Sequence, residues 1–366
     1  MKVAIIGTVG VPACYGGFET LAENLIGDNC SPDIEYTVFC SSKDMPSKPA
    51  RYKNADLKYI PFKANGVQSL IYDTISLLRV MRGYDVILYL GAAVPIPRLY
   101  KWLCKGKIVL NIDGLSQFRD KYGKFQKKYL AYIKNNEITR ADIIVADNRG
   151  IQEYVEQNYR LPSELIAYGG DQAIIDMDAE RQNALLEKYG LRKGEYSMAL
   201  CRIEPENNCH LVLEAFAQTD EPLIFIGNWN KSEYGRSLRE QYKDSGNIII
   251  HDPVYELEDL YALRANARRY VHGHSVGGTN PSLVEAMFFG VPLLCYDVKY
   301  NRATTFNKAQ YFSDADELKR LLASPLGDGS CMRELAYEHY TWKKIAGDYE
   351  NAYRKALKLK QRKNNE

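Results

Sequence analysis

The stretch Tyr270-Val-His-Gly-His-Ser-Val-Gly-Gly-Thr-Asn-Pro-Ser-Leu-Val-Glu-Ala-Met-Phe-Phe-Gly290 contains the signals for a strand, a glycine-rich loop and a helix. Asn280 is a favourable N-cap, Pro281 suits the first helical position, and Gly290 suits the helix end. The helix between them is apolar on nearly all sides, which predicts that it is buried. A strand, a glycine loop and a buried helix in this order form the repeating unit of α/β folds with parallel sheets.

The same alternation of short apolar runs and helical patterns continues in both directions. It predicts an α/β chain with two Rossmann-like domains, residues 1–172 and 173–340, and a long helix over 341–366 that packs back on the first domain. The expected strands are Val3–Ile6, Tyr36–Cys40, Leu57–Phe62, Asp85–Leu90, Ile108–Ile112, Ile143–Ala146, Leu165–Tyr168, Ser197–Cys201, Leu223–Ile226, Ile248–His251, Tyr270–His272, Pro292–Tyr296 and Gln310–Phe312.

The composition is that of a soluble globular protein, with 46% hydrophobic and 26% charged residues among 366. No run approaches the ~18 apolar residues of a membrane span, and the start lacks the pattern of a signal peptide. The eight cysteines form no CxxC pair, so we expect a cytoplasmic chain with reduced thiols and no zinc site. Between Arg98 and Arg140, however, the sequence has 11 Lys/Arg and only 3 Asp/Glu, and this excess of positive charge predicts an anionic partner for the first domain.

A second glycine-rich loop follows the first predicted strand, from Gly7 through Gly16 and Gly17 to Glu19. Glycines before a helix allow backbone amides to approach an anion. A cluster of ordinary turn glycines is the alternative. The spacing is not GxGxxG, and the next strand ends at Cys40-Ser-Ser42 without an acidic residue, which argues against a dinucleotide enzyme.

Two charged residues of the second domain are candidates for binding a ligand. Arg202 directly follows a strand, where its planar guanidinium suits a diphosphate, although pairing with Glu204 or Glu206 is the alternative. Glu285 is a carboxylate inside an apolar helix, a placement that requires partners. Those partners are ligand hydroxyls in one interpretation and an internal arginine in the other.

Other polar residues give weaker signals. Asp113 ends a first-domain strand at the expected cleft, but Asp-Gly is also a common turn. His272 and His274 flank a glycine without a third metal ligand nearby, so we expect one of them to line the site. Asp176-Met-Asp178 has the form of a metal-binding DxD motif, although its position favours a helix start.

The segment from Phe118 to Lys134 carries aromatic residues at helical spacing and lysines on other faces, including Lys124, Lys127 and Lys128. This pattern predicts a basic amphipathic helix lying on an anionic membrane surface. A core helix with a solvated lysine face is the alternative.

Taken together, the loops Tyr15–Glu19, Asn111–Gly114, Arg202–Asn208 and His272–Glu285 resemble glycosyltransferase family 4, in particular its bacterial rhamnosyltransferase-type branch. The resemblance covers nearly the whole chain and implies the GT-B fold, two Rossmann-like domains facing across a cleft. It implies a retaining transfer from a nucleoside-diphosphate (NDP) sugar, with dTDP-rhamnose as the best candidate donor. The acceptor would be a polyprenyl-diphosphate-linked sugar at the inner face of the membrane. Neither a metal or other cofactor nor a nucleic acid is expected.

The resemblance also implies site roles. Gly16 and Gly17 would line the donor phosphate and acceptor side, and Asp113 would lie beside the transferred sugar. Arg202 would hold the diphosphate, His274 would line the donor site, Gly278 and Thr279 would offer amides to sugar and phosphate, and Glu285 would bind the ribose. The family usually has a second glutamate where this chain has Gly277 and a lysine where it has Asn207, two further donor-site positions.

These departures keep two other functions open. One is an NDP-sugar 2-epimerase of the same architecture, although the missing carboxylate at Gly277 counts against it. The other is a partner subunit without catalytic activity.

Overall fold

The computed structural model describes residues 1–13, 16–27, 31–91, 94–96, 100, 103–112 and 123–359 and, for residue 124, the backbone only. The chain divides into two compact units: Met1–Tyr168 with Trp342–Glu366 (unit 1) and Gly169–Thr341 (unit 2). The boundaries expected from the sequence were 172 and 340.

Eight strands of the described part of unit 1 form one sheet in the order β3-β4-β2-β1-β5-β6-β7-β8. The apolar strand β1 lies in the middle and pairs in parallel with β2 and β5. The other pairs are also parallel, except that β3 runs antiparallel to β4. The strands are β1 (Lys2–Ile6), β2 (Glu35–Ser41), β3 (Arg51–Tyr52), β4 (Ala55–Ile60), β5 (Val86–Tyr89), β6 (Lys107–Asn111), β7 (Ile143–Ala146) and β8 (Glu164–Leu165).

Helices cover both faces of this sheet. They are α1 (Gly17–Leu25), α2 (Ser69–Arg79), α3 (Lys124–Arg140), α4 (Arg149–Tyr159) and the C-terminal helix (Trp342–Lys358). On one face, Val86 and Leu88 of β5 share a core with α1 and the C-terminal helix. Side chains alternate along a strand, so Tyr89 points to the opposite face. There its buried phenol interacts with Asp73 of α2 and Glu137 of α3, and burial together with these carboxylates raises the pKa of Tyr89 well above its usual value.

Unit 2, all of whose residues are described, has a parallel six-stranded sheet in the order β11-β10-β9-β12-β13-β14. This order reverses direction between β9 and β12, as in a Rossmann sheet. The strands are β9 (Ser197–Leu200), β10 (Leu223–Ile226), β11 (Ile248–His251), β12 (Arg269–His272), β13 (Leu293–Tyr296) and β14 (Gln310–Phe312). The helices are α5 (Ala179–Lys188), α6 (Cys209–Ala217), α7 (Glu233–Tyr242), α8 (Leu257–Ala265), α9 (Pro281–Phe288), α10 (Lys299–Thr304), α11 (Ala315–Ala323) and α12 (Ser330–His339).

The predicted α/β class is confirmed, and four expected strands, β7, β10, β11 and β14, have the expected bounds. The expected strand Leu165–Tyr168 was wrong in extent, because pairing with β7 is confined to Glu164–Leu165. Strand β3 was missed, since two residues at a sheet edge carry no periodic pattern. Among the described residues, no helix combines the length and the apolar character needed to cross a membrane.

Candidate functional site

The carboxyl edge of the unit 2 sheet collects most of the residues that the sequence singles out. Arg202 follows β9, whereas His274 and the 277–279 loop follow β12, the neighbouring strand. Doubly wound sheets bind ligands where the strand order reverses, and here that position lies between β9 and β12. Residues 70 positions apart in the chain therefore meet at one edge.

Arg202 is an exposed side chain at this edge. The alternative expected from the sequence, an ion pair with Glu204 or Glu206, is not formed among these three described residues. Its guanidinium is therefore available to an anionic ligand beyond the end of β9. A hydrogen bond with the thiol of Cys209, together with burial, raises the pKa of Cys201, just before Arg202, so this thiol is uncharged and adds no competing anion.

Hydrogen bonds join the Arg202 loop to the loop after β12. The amide and hydroxyl of Ser275 both donate to the carbonyl of Glu206, at 3.0 and 2.8 Å. Asn208 donates through Nδ2 to the carbonyl of Gly273 at 2.9 Å. A Cβ on Gly273 would lie 2.3 Å from the carbonyl oxygen of Asn207, so only glycine permits this close approach.

Asn207 is placed inside this loop pair and is only 1% exposed. Its Nδ2 donates to the carbonyl of Arg202 at 2.7 Å. Its Oδ1 is buried and accepts no hydrogen bond from the described residues. Asn207 thus shapes the loop that presents Arg202. The lysine that glycosyltransferase family 4 usually has at this position would supply a positive charge instead.

The glycine loop leads into α9 as the sequence predicts. Asn280 is the N-cap, and its Oδ1 accepts from the amide of Ser282 at 3.1 Å. Gly277 has a φ of 133°, and a Cβ built on it would meet nothing within 4 Å. Gly278 is half-buried and Thr279 is 5% exposed. The loop therefore has open space beside Gly277 and the positive end of a helix behind it.

Glu285 has protein partners for both carboxylate oxygens. Oε2 is paired with Nη2 of Arg264, and Oε1 accepts from Nε2 of Gln172 at 2.8 Å. The Arg264 side chain is 3% exposed and that of Glu285 is 19% exposed. This is the internal pairing that the sequence left as an alternative to ligand hydroxyls. Neither partner was predicted, because no local pattern connects Gln172 or Arg264 to α9.

His272 and His274 stack at the end of β12, with ring centroids 4.3 Å apart and planes inclined by 11°. His272 is 1% exposed, and both its ring nitrogens lack hydrogen-bond partners among the described residues. Burial lowers the pKa of His272 to about 3, so the ring is neutral near pH 7. His274, the predicted lining residue, is 7% exposed.

In unit 1 the first glycine loop is held by carboxylates. Glu19, 7% exposed, accepts from the hydroxyl of Thr8 and the amide of Val9, both at 2.8 Å. Glu23 accepts from the amide of Ala13 at 2.6 Å. Gly16 has a φ of 121°, and a Cβ there would lie 2.3 Å from Oε2 of Glu19. The amides of Val9 and Ala13 are thus already bound to negative charge.

Burial works to raise the pKa of Glu23, but hydrogen bonds from Tyr52 and Ala13 together with Lys53 outweigh it and lower the pKa. Glu23 is therefore ionised at neutral pH. Lys53 pairs with Glu23 at 3.1 Å, so the charge that a phosphate at this loop would meet is chiefly that of Glu19, which disfavours a phosphate there.

Some predicted residues lie outside the part of the chain that the structure describes: Asp113, and the side chain of Lys124. The neighbouring Asn111 is buried and donates to the hydroxyl of Tyr349 at 2.7 Å. Asp178 is the N-cap of α5 and accepts from the amide of Arg181, as a helix start would. No group of three His, Cys, Asp or Glu in the described chain could hold a metal ion.

Two family models match the chain. Residues 1–171 match a domain of unknown function (DUF1972), and residues 182–338 match the family described as glycosyl transferases group 1. The match to the glycosyl transferases group 1 domain lies within unit 2. The predicted enzyme class, a glycosyltransferase, is confirmed at the level of this domain.

Among curated proteins, the serotype-specific mannosyltransferase WbdA of Escherichia coli is 26% identical over 214 residues. The alignment covers 54% of this chain and 26% of WbdA, so the chain spans about a quarter of the length of the relatives it matches.

The folds of several solved structures are similar to the fold of this chain over nearly its whole length. Sucrose-phosphate synthase from Thermosynechococcus elongatus has a TM-score of 0.76 at 16% identity and covers 97% of this chain and 98% of its own. HepE from Anabaena, solved in complex with UDP, has a TM-score of 0.71 at 13% identity and covers 97% and 100%. These likenesses confirm the predicted GT-B fold.

Proposed function

We propose that the chain is a glycosyltransferase that binds an NDP-sugar at unit 2 and passes its sugar to a saccharide in bacterial surface polysaccharide synthesis. The exposed guanidinium of Arg202, beside a glycine loop and a helix N-terminus, is the observation that carries this proposal. The group 1 domain in unit 2 supports it, as does the likeness to a serotype-specific mannosyltransferase.

The proposed chemistry rests on the leaving group. As the bond from sugar to diphosphate breaks, negative charge develops on the diphosphate, and preorganised donors stabilise it. Arg202, the amides of Gly278 and Thr279, and the positive end of α9 would supply those donors. We propose retention of configuration, with Asp113 beside the sugar and the departing diphosphate helping to accept the proton of the acceptor hydroxyl.

Glu285 keeps a proposed role toward the ribose in spite of its internal partners. A carboxylate offers about four lone-pair sites, and Arg264 and Gln172 use two of them. The 19% exposed side chain could accept a ribose hydroxyl through another. The ion pair would then hold the carboxylate in place before the ligand arrives.

For unit 1 we propose the acceptor side. Because Glu19 and Glu23 already occupy loop amides, Gly16 and Gly17 suit neutral sugar hydroxyls better than phosphate. The acceptor would be a polyprenyl-diphosphate-linked saccharide at the inner face of the cell membrane, reached by a cytoplasmic, peripherally bound enzyme. The basic stretch between Arg98 and Arg140 supports an anionic partner for this unit.

The proposed donor is dTDP-rhamnose. The space beside Gly277 lacks the usual carboxylate, and a 6-deoxy sugar loses less than a hexose in a less polar pocket. A mannosyl donor is the second candidate, because WbdA is a mannosyltransferase.

The test is a comparison of kcat/KM for dTDP-rhamnose, GDP-mannose, UDP-glucose and UDP-galactose on one lipid-linked acceptor, with and without EDTA. We expect turnover that survives EDTA and is fastest with dTDP-rhamnose. The preference for rhamnose need not be sharp, since an apolar pocket rejects an added hydroxyl only weakly, by ~10²-fold. A hexose donor that is faster by more than about tenfold would refute the rhamnose assignment. Conversion of a donor without acceptor would indicate the epimerase, and no turnover with any donor would indicate a non-catalytic subunit.

A further inference from the structure

Helix α2 of unit 1 exposes an aliphatic stripe that no described element covers. Val67 is 89% exposed, Leu70 41%, Ile71 48% and Leu78 60%. Val67 lies in the 3-10 turn Gly66–Gln68 just before the helix, and the spacing of Leu70, Ile71 and Leu78 places these three on one side of the helix itself. The opposite side, with Tyr72, Asp73, Ser76 and Leu77, is buried against the sheet. The fold thus uses the side of α2 that carries Tyr72 and Leu77, whereas the aliphatic stripe stays exposed.

The first half of α3 exposes aromatic residues in the same way. Phe125 is 90% exposed, Tyr129 45% and Tyr132 58%. The residues of α3 that are buried, such as Ile133 and Ile138, lie in its second half. The core-helix alternative from the sequence is therefore wrong for these three aromatic side chains.

Both stripes belong to the same helical layer. The chain crosses the sheet in the same direction from β4 through α2 to β5 as from β6 through α3 to β7. Such crossovers are right-handed, so α2 and α3 cover one face of the sheet. The electrostatic interaction of Tyr89 with both Asp73 of α2 and Glu137 of α3 agrees with this placement. We call the α2 stripe and the α3 stripe together the outer apolar face.

The exposed charges on the two segments that form this face have one sign. Lys63, Arg79, Arg82 and Lys128 are exposed. Within 63–84 and 123–141 the acidic residues are Asp73 and Glu137, which are 5% and 0% exposed. A surface with aliphatic and aromatic side chains and only positive exposed charges is complementary to an anionic lipid layer.

We propose that the outer apolar face is the surface by which the chain binds an anionic bilayer, with the aliphatic side chains of α2 entering the acyl boundary. Tyr129 and Tyr132 lie at headgroup depth, where amphipathic rings are favoured. Apolar insertion through α2 then supplies much of the binding, and the lysines of α3 add electrostatic attraction. The purpose of this binding rests on the proposed lipid-linked acceptor, but the binding itself does not require transfer.

The test is vesicle flotation with equal parts of phosphatidylglycerol and phosphatidylcholine, and with phosphatidylcholine alone. The variant is Val67→Ser/Ile71→Ser/Leu78→Ser. Its matched control is Tyr255→Ser/Leu257→Ser/Leu326→Ser, three side chains of unit 2 with 72%, 45% and 48% exposure. We expect the α2 variant to bind the anionic vesicles at least about tenfold more weakly than wild type, equal to about 1.4 kcal/mol. The control should bind like wild type.

Two results would overturn the proposal. One is equal binding of anionic vesicles by the α2 variant and the unit 2 control. The other is that the wild type is a dimer in light scattering, the α2 variant is a monomer, and neither protein floats with the vesicles. The outer apolar face would then be a contact between two copies of the chain. NDP affinity should be unchanged in the α2 variant. A wild type that floats but binds no NDP would contradict the proposed function and leave the membrane surface standing.

Discussion

The two glycine-rich loops of the chain look alike in sequence and differ in the charge of the groups that hydrogen-bond to them. In unit 1, the carboxylates of Glu19 and Glu23 accept from the amides of Val9 and Ala13. In unit 2, neutral groups tie the loop down, as in the bonds from Ser275 to the carbonyl of Glu206. Glycine residues therefore allow a ligand to approach the loop closely, but the charge of the groups hydrogen-bonded to the loop backbone decides which ligand is favoured.

The surroundings reinforce this difference. At the unit 2 edge, Arg202 is exposed, and the charge of Glu285 is balanced by Arg264. At the first loop of unit 1, Lys53 balances Glu23 at 3.1 Å, but Glu19 holds the loop amide of Val9. We therefore expect an anion to be attracted to unit 2 and disfavoured beside Glu19. The predictions below remove, one at a time, the groups on which this contrast depends.

The largest expected effect is on the buried ion pair of unit 2. Glu285→Ala leaves Arg264, 3% exposed, without its charge partner, and breaking such a pair costs about 3–5 kcal/mol. Hydrogen exchange of unit 2 peptides should show this loss of stability. The double variant Arg264→Met/Glu285→Met should recover most of it. A loss below about 1 kcal/mol in the single variant would mean that the pair is not structural.

The next effect concerns the unit 1 loop. Glu19→Ala removes the acceptor of two hydrogen bonds, and a hydrogen bond to a charged group is worth about 1.5–3 kcal/mol. Exchange of unit 1 peptides should accelerate accordingly, whereas the exposed control Glu35→Ala should change little. NDP affinity should stay the same. A tenfold loss of NDP affinity would place the donor phosphate at the unit 1 loop.

Arg202→Ala should weaken NDP binding without destabilising either unit. Loss of a charge-assisted hydrogen bond of about 1.5–3 kcal/mol corresponds to about 10- to 150-fold in Kd. Isothermal titration with UDP, dTDP and GDP measures it, and Arg192→Ala, another exposed arginine of unit 2, is the control. Equal affinities of the two variants would remove Arg202 from the site.

The effect that is smallest at neutral pH is a pH dependence of unit 2. The pKa of His272 is lowered by burial from 6.5 to about 3, so between these values the unfolded chain binds a proton that the folded chain does not. Stability should therefore fall as the pH is lowered through this window, by at most about 1.4 kcal/mol per pH unit. His272→Phe should flatten the slope relative to wild type, and the exposed control His210→Phe should not. Parallel pH profiles of all three proteins would contradict the assignment.

The sequence predicts the parts of this structure that depend on local pattern. Apolar runs mark β10 and β11 because a buried parallel strand needs such a run, and Asn280 with Pro281 marks the start of α9 because capping is local. The position of Arg202 just after β9 likewise depends on the local pattern of the strand.

Contacts between distant residues could not be predicted in this way. Gln172 is 113 positions and Arg264 is 21 positions from Glu285, so the pattern around α9 demands a partner without identifying it. For α3, helical spacing grouped Phe125 with Tyr129 and Tyr132 but could not show that this side faces away from the sheet.

The central claim, that the diphosphate binds at the carboxyl edge of unit 2 and not at the first glycine loop, is tested most directly by hydrogen–deuterium exchange with and without saturating NDP. We expect slower exchange in residues 202–208 and 273–285 and no change in residues 7–13 and 16–19. Protection of the 7–19 loop without protection of 202–208 would contradict the claim.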